Sequence, residues 1–163
     1  MRIPLLRREW GLAAAGAALT VLAYPPFHLL LPSFVALIPL VWLLEGAVAS
    51  GRPARHAALV GFWAGLLANA ALLYWMIVAL YHFTPLAALG YLATVTILGA
   101  WWAVLGWAVV TVWRRVPAVP RWLVFAAAWV TLEWILGHQG DVAFPWLGLG
   151  TSLTGYPVLV QWA

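Results

Sequence analysis

The sequence predicts an all-α fold, a polytopic transmembrane bundle of about five helices with its N-terminus in the cytoplasm. Three observations carry this. The chain is 66% hydrophobic and 7% charged over 163 residues, and a water-soluble globule of that composition would expose large apolar patches. Its eight basic residues are all arginine and fall in three short clusters: Arg2, Arg7, Arg8; Arg52, Arg55; and Arg114, Arg115, Arg121. Between the clusters the chain is almost continuously apolar, the pattern of an inner-membrane protein whose basic loops stay inside. The formal charge of +4 does not point to nucleic acid, because the arginines flank apolar runs instead of lining one polar face. They read as anchors for anionic headgroups.

A spanning helix needs roughly 20 apolar residues, and five stretches are candidates: about 11–24, 29–48, 57–80, 86–113 and 122–136. The first is short, covering about 21 Å at ~1.5 Å per residue. Tyr24-Pro25-Pro26-Phe27 separates it from the second, and two consecutive prolines break a helix. The two stretches form either one kinked span or a hairpin. Only the hairpin returns the first two arginine clusters to one side, so positive-inside favours it. The loops then alternate, with Ser50–His56 and Arg114–Arg121 inside and Tyr24–Phe27, Tyr81–Pro85 and Gly137–Trp146 outside. The tail, 137–163, is an aromatic, glycine- and proline-broken segment on the outer face. Arg2, Arg7 and Arg8 before Gly11–Leu22 also have the form of a signal peptide, with Val21-Leu22-Ala23 as a cleavage motif. The four following spans favour an uncleaved first span.

Tryptophan supports this registration. Trp10, Trp42, Trp113 and Trp122 fall near inner ends, and Trp75, Trp134 and Trp146 near outer ends, where indole favours the headgroup level. Trp63, Trp101, Trp102, Trp107 and Trp129 fall deeper and are expected between helices or against acyl chains. The chain reads as one membrane unit, multi-pass, in the bacterial inner membrane.

Chemistry is sparse. With neither cysteine nor lysine, the sequence offers no thiolate, disulfide or Schiff-base lysine. Gly61 and Gly65 form a GxxxG pattern that serves either a dimer face or, as preferred here, packing within the bundle. Asn69, in the middle of the third stretch, needs a partner, typically across helices. Glu133 is an ionisable residue in the outer half of the fifth stretch. It is either functional or simply reaches the interface four residues on. His82, His138 and Asp141 match no metal-ligand spacing, so no metal is expected. Phe144-Pro145-Trp146, followed by Leu147 to Ser152, cannot continue as a regular helix. It suits either a lipid or peptide clamp or a plain interfacial anchor.

That last segment resembles a hallmark of the apolipoprotein N-acyltransferases. The resemblance runs through Glu133-Trp134, Phe144-Pro145-Trp146 and Leu149-Gly150-Thr151-Ser152, and continues through Tyr156-Pro157-Val158-Leu159-Val160-Gln161-Trp162-Ala163. Earlier, Leu22-Ala23-Tyr24-Pro25-Pro26-Phe27 is similar to the family's first hairpin turn. Gly61–Gly65 with Tyr74-Trp75 is similar to its third span. The arginine that the family usually carries after its Glu-Trp pair is replaced here by Ile135-Leu136-Gly137-His138.

The resemblance implies an enzyme that moves an acyl chain from a membrane phospholipid to the N-terminal diacylglyceryl-cysteine of lipoproteins. It does so through a nitrilase-like domain with a Glu-Lys-Cys triad and no cofactor. That domain is absent from this sequence. The chain is therefore expected to be the N-terminal membrane portion, a fragment or truncated product, inactive alone and carrying no catalytic residue. Its partners would be phospholipid and, through the missing domain, lipoprotein. Phe144, Pro145, Trp146, Trp75 and Glu133 are the candidates for a lipid entrance. The competing class is a small non-enzymatic membrane protein, a carrier or assembly scaffold. A carrier calls for repeat symmetry and intramembrane polar pairs, and only Asn69 and Glu133 qualify.

Overall fold

The computed structural model describes residues 5–84, 86–140 and 143–161; Arg2, Pro85, Asp141 and the Trp162-Ala163 end lie outside them. The described residues form helices α1 (Arg7–Ala23), α2 (Leu30–Val35), α3 (Ile38–Ala49), α4 (Ala54–Leu72), α5 (Tyr74–Leu80), α6 (Ala87–Arg115), α7 (Arg121–Gly137) and α8 (Pro157–Val160), with no strand among them. Two short 3-10 turns, Pro145–Leu147 and Leu149–Leu153, precede α8. By length and apolarity, Leu30–Ala49 and Ala87–Arg115 each suffice to cross a membrane, and the bent α4–α5 pair makes a third if taken as one span. Helices α1 and α7 have 17 residues each. They reach about 25 Å at ~1.5 Å per residue, under the ~30 Å of a bilayer core.

The chain reverses after α1. Pro25 and Pro26 have no N–H to continue the helix, and Leu29 N–H instead donates back to Leu22 O at 2.9 Å. The reversal brings the start of α4 beside the start of α1, where Arg52 Nη1 lies 3.3 Å from Glu9 Oε1. The first two arginine clusters thus share one end of the bundle, as in a hairpin and unlike a kinked span. The second apolar stretch is broken between α2 and α3. Pro39 stands in the first turn of α3 and can offer no N–H to the last carbonyl of α2.

The bundle centres on α4 against α6. A Cβ on Gly65 would lie 2.5 Å from Trp102 Cγ, and one on Gly106 would lie 2.6 Å from Ala57 O. Only hydrogen atoms allow these backbones to approach so closely. Gly61 likewise faces the Trp102 carbonyl. The GxxxG pair therefore packs inside the bundle. Around this seam Leu44, Val60, Val109 and Val110 are buried to within 1% of complete.

Between α4 and α5 the chain bends by 42° at Leu73, with no proline or glycine there. The Tyr91 hydroxyl donates to Ala70 O at 2.7 Å. That carbonyl is the one the Tyr74 N–H would reach in an unbroken helix, so a side chain replaces a rung of the ladder. Large apolar side chains cover the outside, including Leu31, Phe34, Val78, Leu89 and Trp122, each more than 60% exposed. Such a surface belongs against lipid, and the chain is a membrane protein.

Polar groups close the arginine end. Glu9 accepts from Leu6 N–H at 2.7 Å and lies 2.7 Å from His56 Nε2. Burial raises the Glu9 pKa, but the Leu6 N–H, His56 and the Arg52 charge together outweigh it and hold the carboxyl below the ordinary glutamate value. Arg114 donates to the carbonyls of Ala47 and Arg52, and the Trp113 indole N–H donates to Arg121 O at 3.0 Å. These donors satisfy carbonyls near the α3 C-terminus and in the adjoining loops.

Candidate functional site: a cavity at the far end of the bundle

At the end opposite the arginines, residues of α1, α4, α6 and α7 line a cavity of about 340 Å³. The segment that follows α7 folds back over it. Three tethers hold that segment. Phe144 N–H donates to Leu136 O at 2.7 Å, extending the end of α7 by a side contact. Leu149 N–H donates to Glu133 Oε1 at 2.8 Å. The Tyr24 hydroxyl donates to Leu147 O at 2.7 Å and lies 2.9 Å from Gly148 O. Beyond them, Tyr156 donates its hydroxyl to His28 O at 2.7 Å, in the turn after α1.

Each polar residue on the wall arrives there for a local reason. Glu133 stands one helical turn after Trp129, so the Trp129 indole N–H reaches the same Oε1 at 2.7 Å. The Trp129 ring is buried and meets Trp102 of α6 edge-on, with centroids 5.1 Å apart. Asn69, 4% exposed, donates Nδ2 to Gly65 O one turn back at 2.7 Å. Its amide bonds within its own helix, not across helices as the sequence reading expected. Thr20 donates its hydroxyl to Gly16 O at 2.8 Å.

Three of the five lipid-entrance candidates line this cavity: Glu133, Phe144 and Pro145. Glu133 turns inward to the Leu149 amide and does not run out to the interface. Trp146 and Trp75 are not part of the wall. They are 70% and 56% exposed, Trp146 on the outside of the folded-back segment and Trp75 in α5. His138 donates from Nδ1 to Trp134 O at 2.7 Å and stacks on the Trp134 ring, while His82 is exposed in the α5–α6 loop. No three histidine or carboxylate side chains converge among the described residues. Sequence reasoning took Tyr24 only as a turn residue and Trp102 and Trp129 only as deep packing. No spacing rule would have united Tyr24 with Leu147. The signal for Trp102 and Trp129 was their depth, which interfacial belts did not explain.

Residues 16–163 match the family described as apolipoprotein N-acyltransferase N-terminal domain. The chain is similar to the apolipoprotein N-acyltransferase of Gloeobacter violaceus, 36% identical over 156 residues, an alignment covering 88% of this chain and 28% of that protein. It is also 36% identical over 177 residues to that of Bradyrhizobium diazoefficiens, covering 94% of this chain and 30% of the relative. With that of Methylococcus capsulatus it shares 34% over 149 residues, covering 88% and 28%. The chain thus spans under a third of the length of the curated relatives it matches.

Proposed function

We propose, since the chain belongs to the apolipoprotein N-acyltransferase family as its N-terminal domain, that it forms the membrane portion of such an enzyme and shapes the route by which lipid or lipoprotein approaches. In this reading the chain crosses the bacterial inner membrane five times, with its arginines on the cytoplasmic side and the cavity in the outer half. Helices α1 and α7 are short for spans, and local thinning of the bilayer or snorkelling of flanking side chains accommodates such a mismatch. The enzyme moves an acyl chain from phospholipid to the N-terminal cysteine of lipoproteins. Residues 1–163 contain no cysteine and no lysine, so a thioester-forming nucleophile has to come from outside them. Alone they transfer no acyl group.

The observation that carries this reading is the tethered segment Phe144–Leu149. Its Phe144 and Pro145 face a cavity, while its Trp146 faces outward at 70% exposure. A segment held from behind by Tyr24 and Glu133, with an indole at the lipid side, suits an entrance rim. The experiment is Trp146→Ala and Phe144→Ala in a chain that includes the catalytic domain. Lipoprotein N-acylation should fall about tenfold, the scale on which misplacing a bound substrate acts, while insertion and abundance stay normal. Unchanged acylation in both variants would leave only an interfacial anchor.

A further inference from the structure

We propose that the far-end cavity binds a primary ammonium group, with Glu133 as its counter-charge and Asn69 as a second acceptor. The argument starts from what the wall offers. Thr20 donates to Gly16 O, Tyr24 to Leu147 O and Trp129 to Glu133 Oε1, so the donors of all three are turned onto protein acceptors. Asn69 directs Nδ2 to Gly65 O. On the acceptor side, Glu133 Oε1 takes two N–H groups, while Oε2 and Asn69 Oδ1 have no protein donor among the described residues. The Trp102 indole N–H and the second Asn69 amide hydrogen are the donors left over. The two unmet acceptors, Oε2 and Oδ1, stand on facing helices of the wall and call for a ligand that brings N–H groups to both.

Charge points the same way. Glu133 has no cationic partner among the described residues, whose ion pairs involve only Glu9 and Glu45. His138 also lines the cavity, but its Nδ1 is turned to Trp134 O. A lone carboxylate in an apolar wall at membrane depth is costly unless a counter-charge meets it. Tyr24, Trp102 and Trp129 line the same cavity, and aromatic rings are compatible neighbours for an ammonium. An arginine-like or quaternary cation fits less well. The first needs a planar fork of acceptors, and the second cannot donate to Oε2 and Oδ1.

The inference rests on the acyltransferase reading for the two sources of such a group: the headgroup amine of a phospholipid and the α-amine of a diacylglyceryl-cysteine peptide. The test is calorimetric titration of the purified chain with dihexanoyl-phosphatidylethanolamine, its N-acetyl form and the choline analogue. A second arm uses the lipopeptide with free and with acetylated N-terminus. The free amine of at least one source should bind about tenfold more tightly than its acetylated form, the weight of one charge-assisted hydrogen bond. Whichever arm shows the preference identifies the source. Glu133→Gln should erase the preference, and Asn69→Asp should widen it.

Equal affinities for free and acetylated forms in both arms would overturn the proposal, as would a preference that survives Glu133→Gln. If Glu133→Gln does not fold, the parent series and Asn69→Asp decide without it. Loss of the amine preference alongside impaired acylation in Trp146→Ala would sink this inference alone and leave the entrance reading standing.

Discussion

The two ends of the bundle are held by different means. At the arginine end, charge is paired with charge or with carbonyl: Glu9 sits between His56 and Arg52, and Arg114 covers the carbonyls of Ala47 and Arg52. At the far end the work falls to two tyrosine hydroxyls and one carboxylate, around a cavity of about 340 Å³. Cations near helix C-termini satisfy orphan carbonyls and draw the elements together. The difference teaches that the two ends are held by different chemistry, ion pairs and guanidinium donors at one and neutral hydroxyls with a single carboxylate at the other, and that at the far end a segment tethered by Tyr24 and Glu133 covers a cavity.

The sharpest way to break the comparison is to ask whether the ends face opposite compartments. A periplasm-active reporter fused after Gly140 should be active and one fused after Val116 silent, an all-or-none difference in reporter activity. An active fusion at Val116 would remove the assignment of the arginine end to the cytoplasm.

A smaller effect separates the two modes of closure. Glu9→Ala leaves buried His56 and Arg52 without their carboxylate. It should destabilise the chain by about 2 kcal/mol, less than the ~3–5 of a fully buried pair because Arg52 keeps 24% of its side chain exposed. Thermal unfolding in detergent measures this, and an unchanged midpoint would mean that the charges do not hold that end together. Smaller still, Tyr24→Phe removes one hydroxyl donor and should cost about 1 kcal/mol. Its signature is local. Amide exchange should quicken at Leu149, whose N–H is held by Glu133, and stay unchanged at Arg52 and His56. Equal protection at Leu149 in both proteins would show that the Tyr24 tether does not hold the segment.

Much of the helix order was legible in the sequence. Pro25-Pro26 and the alternating arginines pointed to the hairpin, because a missing N–H and a basic loop act locally and can be read locally. The α4–α6 seam was legible in part: Gly61 and Gly65 announced a close approach but not that Trp102 would be its partner. The bend at Leu73 left no trace, since its cause is a hydroxyl on Tyr91, 21 residues from the carbonyl it takes. The break before Pro39 was passed over because a proline in the first turn of a helix looks unremarkable until that turn is known to be the first. In the site, Glu133 stood out as an ionisable residue in an apolar run. Its bond to Leu149 depends on a fold-back that glycines and prolines permit but do not specify. Outer-face placement, the broken helical pattern and the family resemblance put Trp75 and Trp146 beside Phe144, but which of these rings meets the cavity is decided by backbone path, which they do not specify.

The bond from the Tyr24 hydroxyl to Leu147 O joins residues 123 apart, and this has a consequence for how the protein is made. At ~5–20 residues per second, a ribosome adds that stretch in about 6–25 s. Throughout that interval α1 and its turn have been made, while the peptide that covers the cavity does not yet exist. The wall that α1 contributes therefore waits for its cover, and the Tyr24 hydroxyl has no Leu147 carbonyl to meet until those 123 residues have been added.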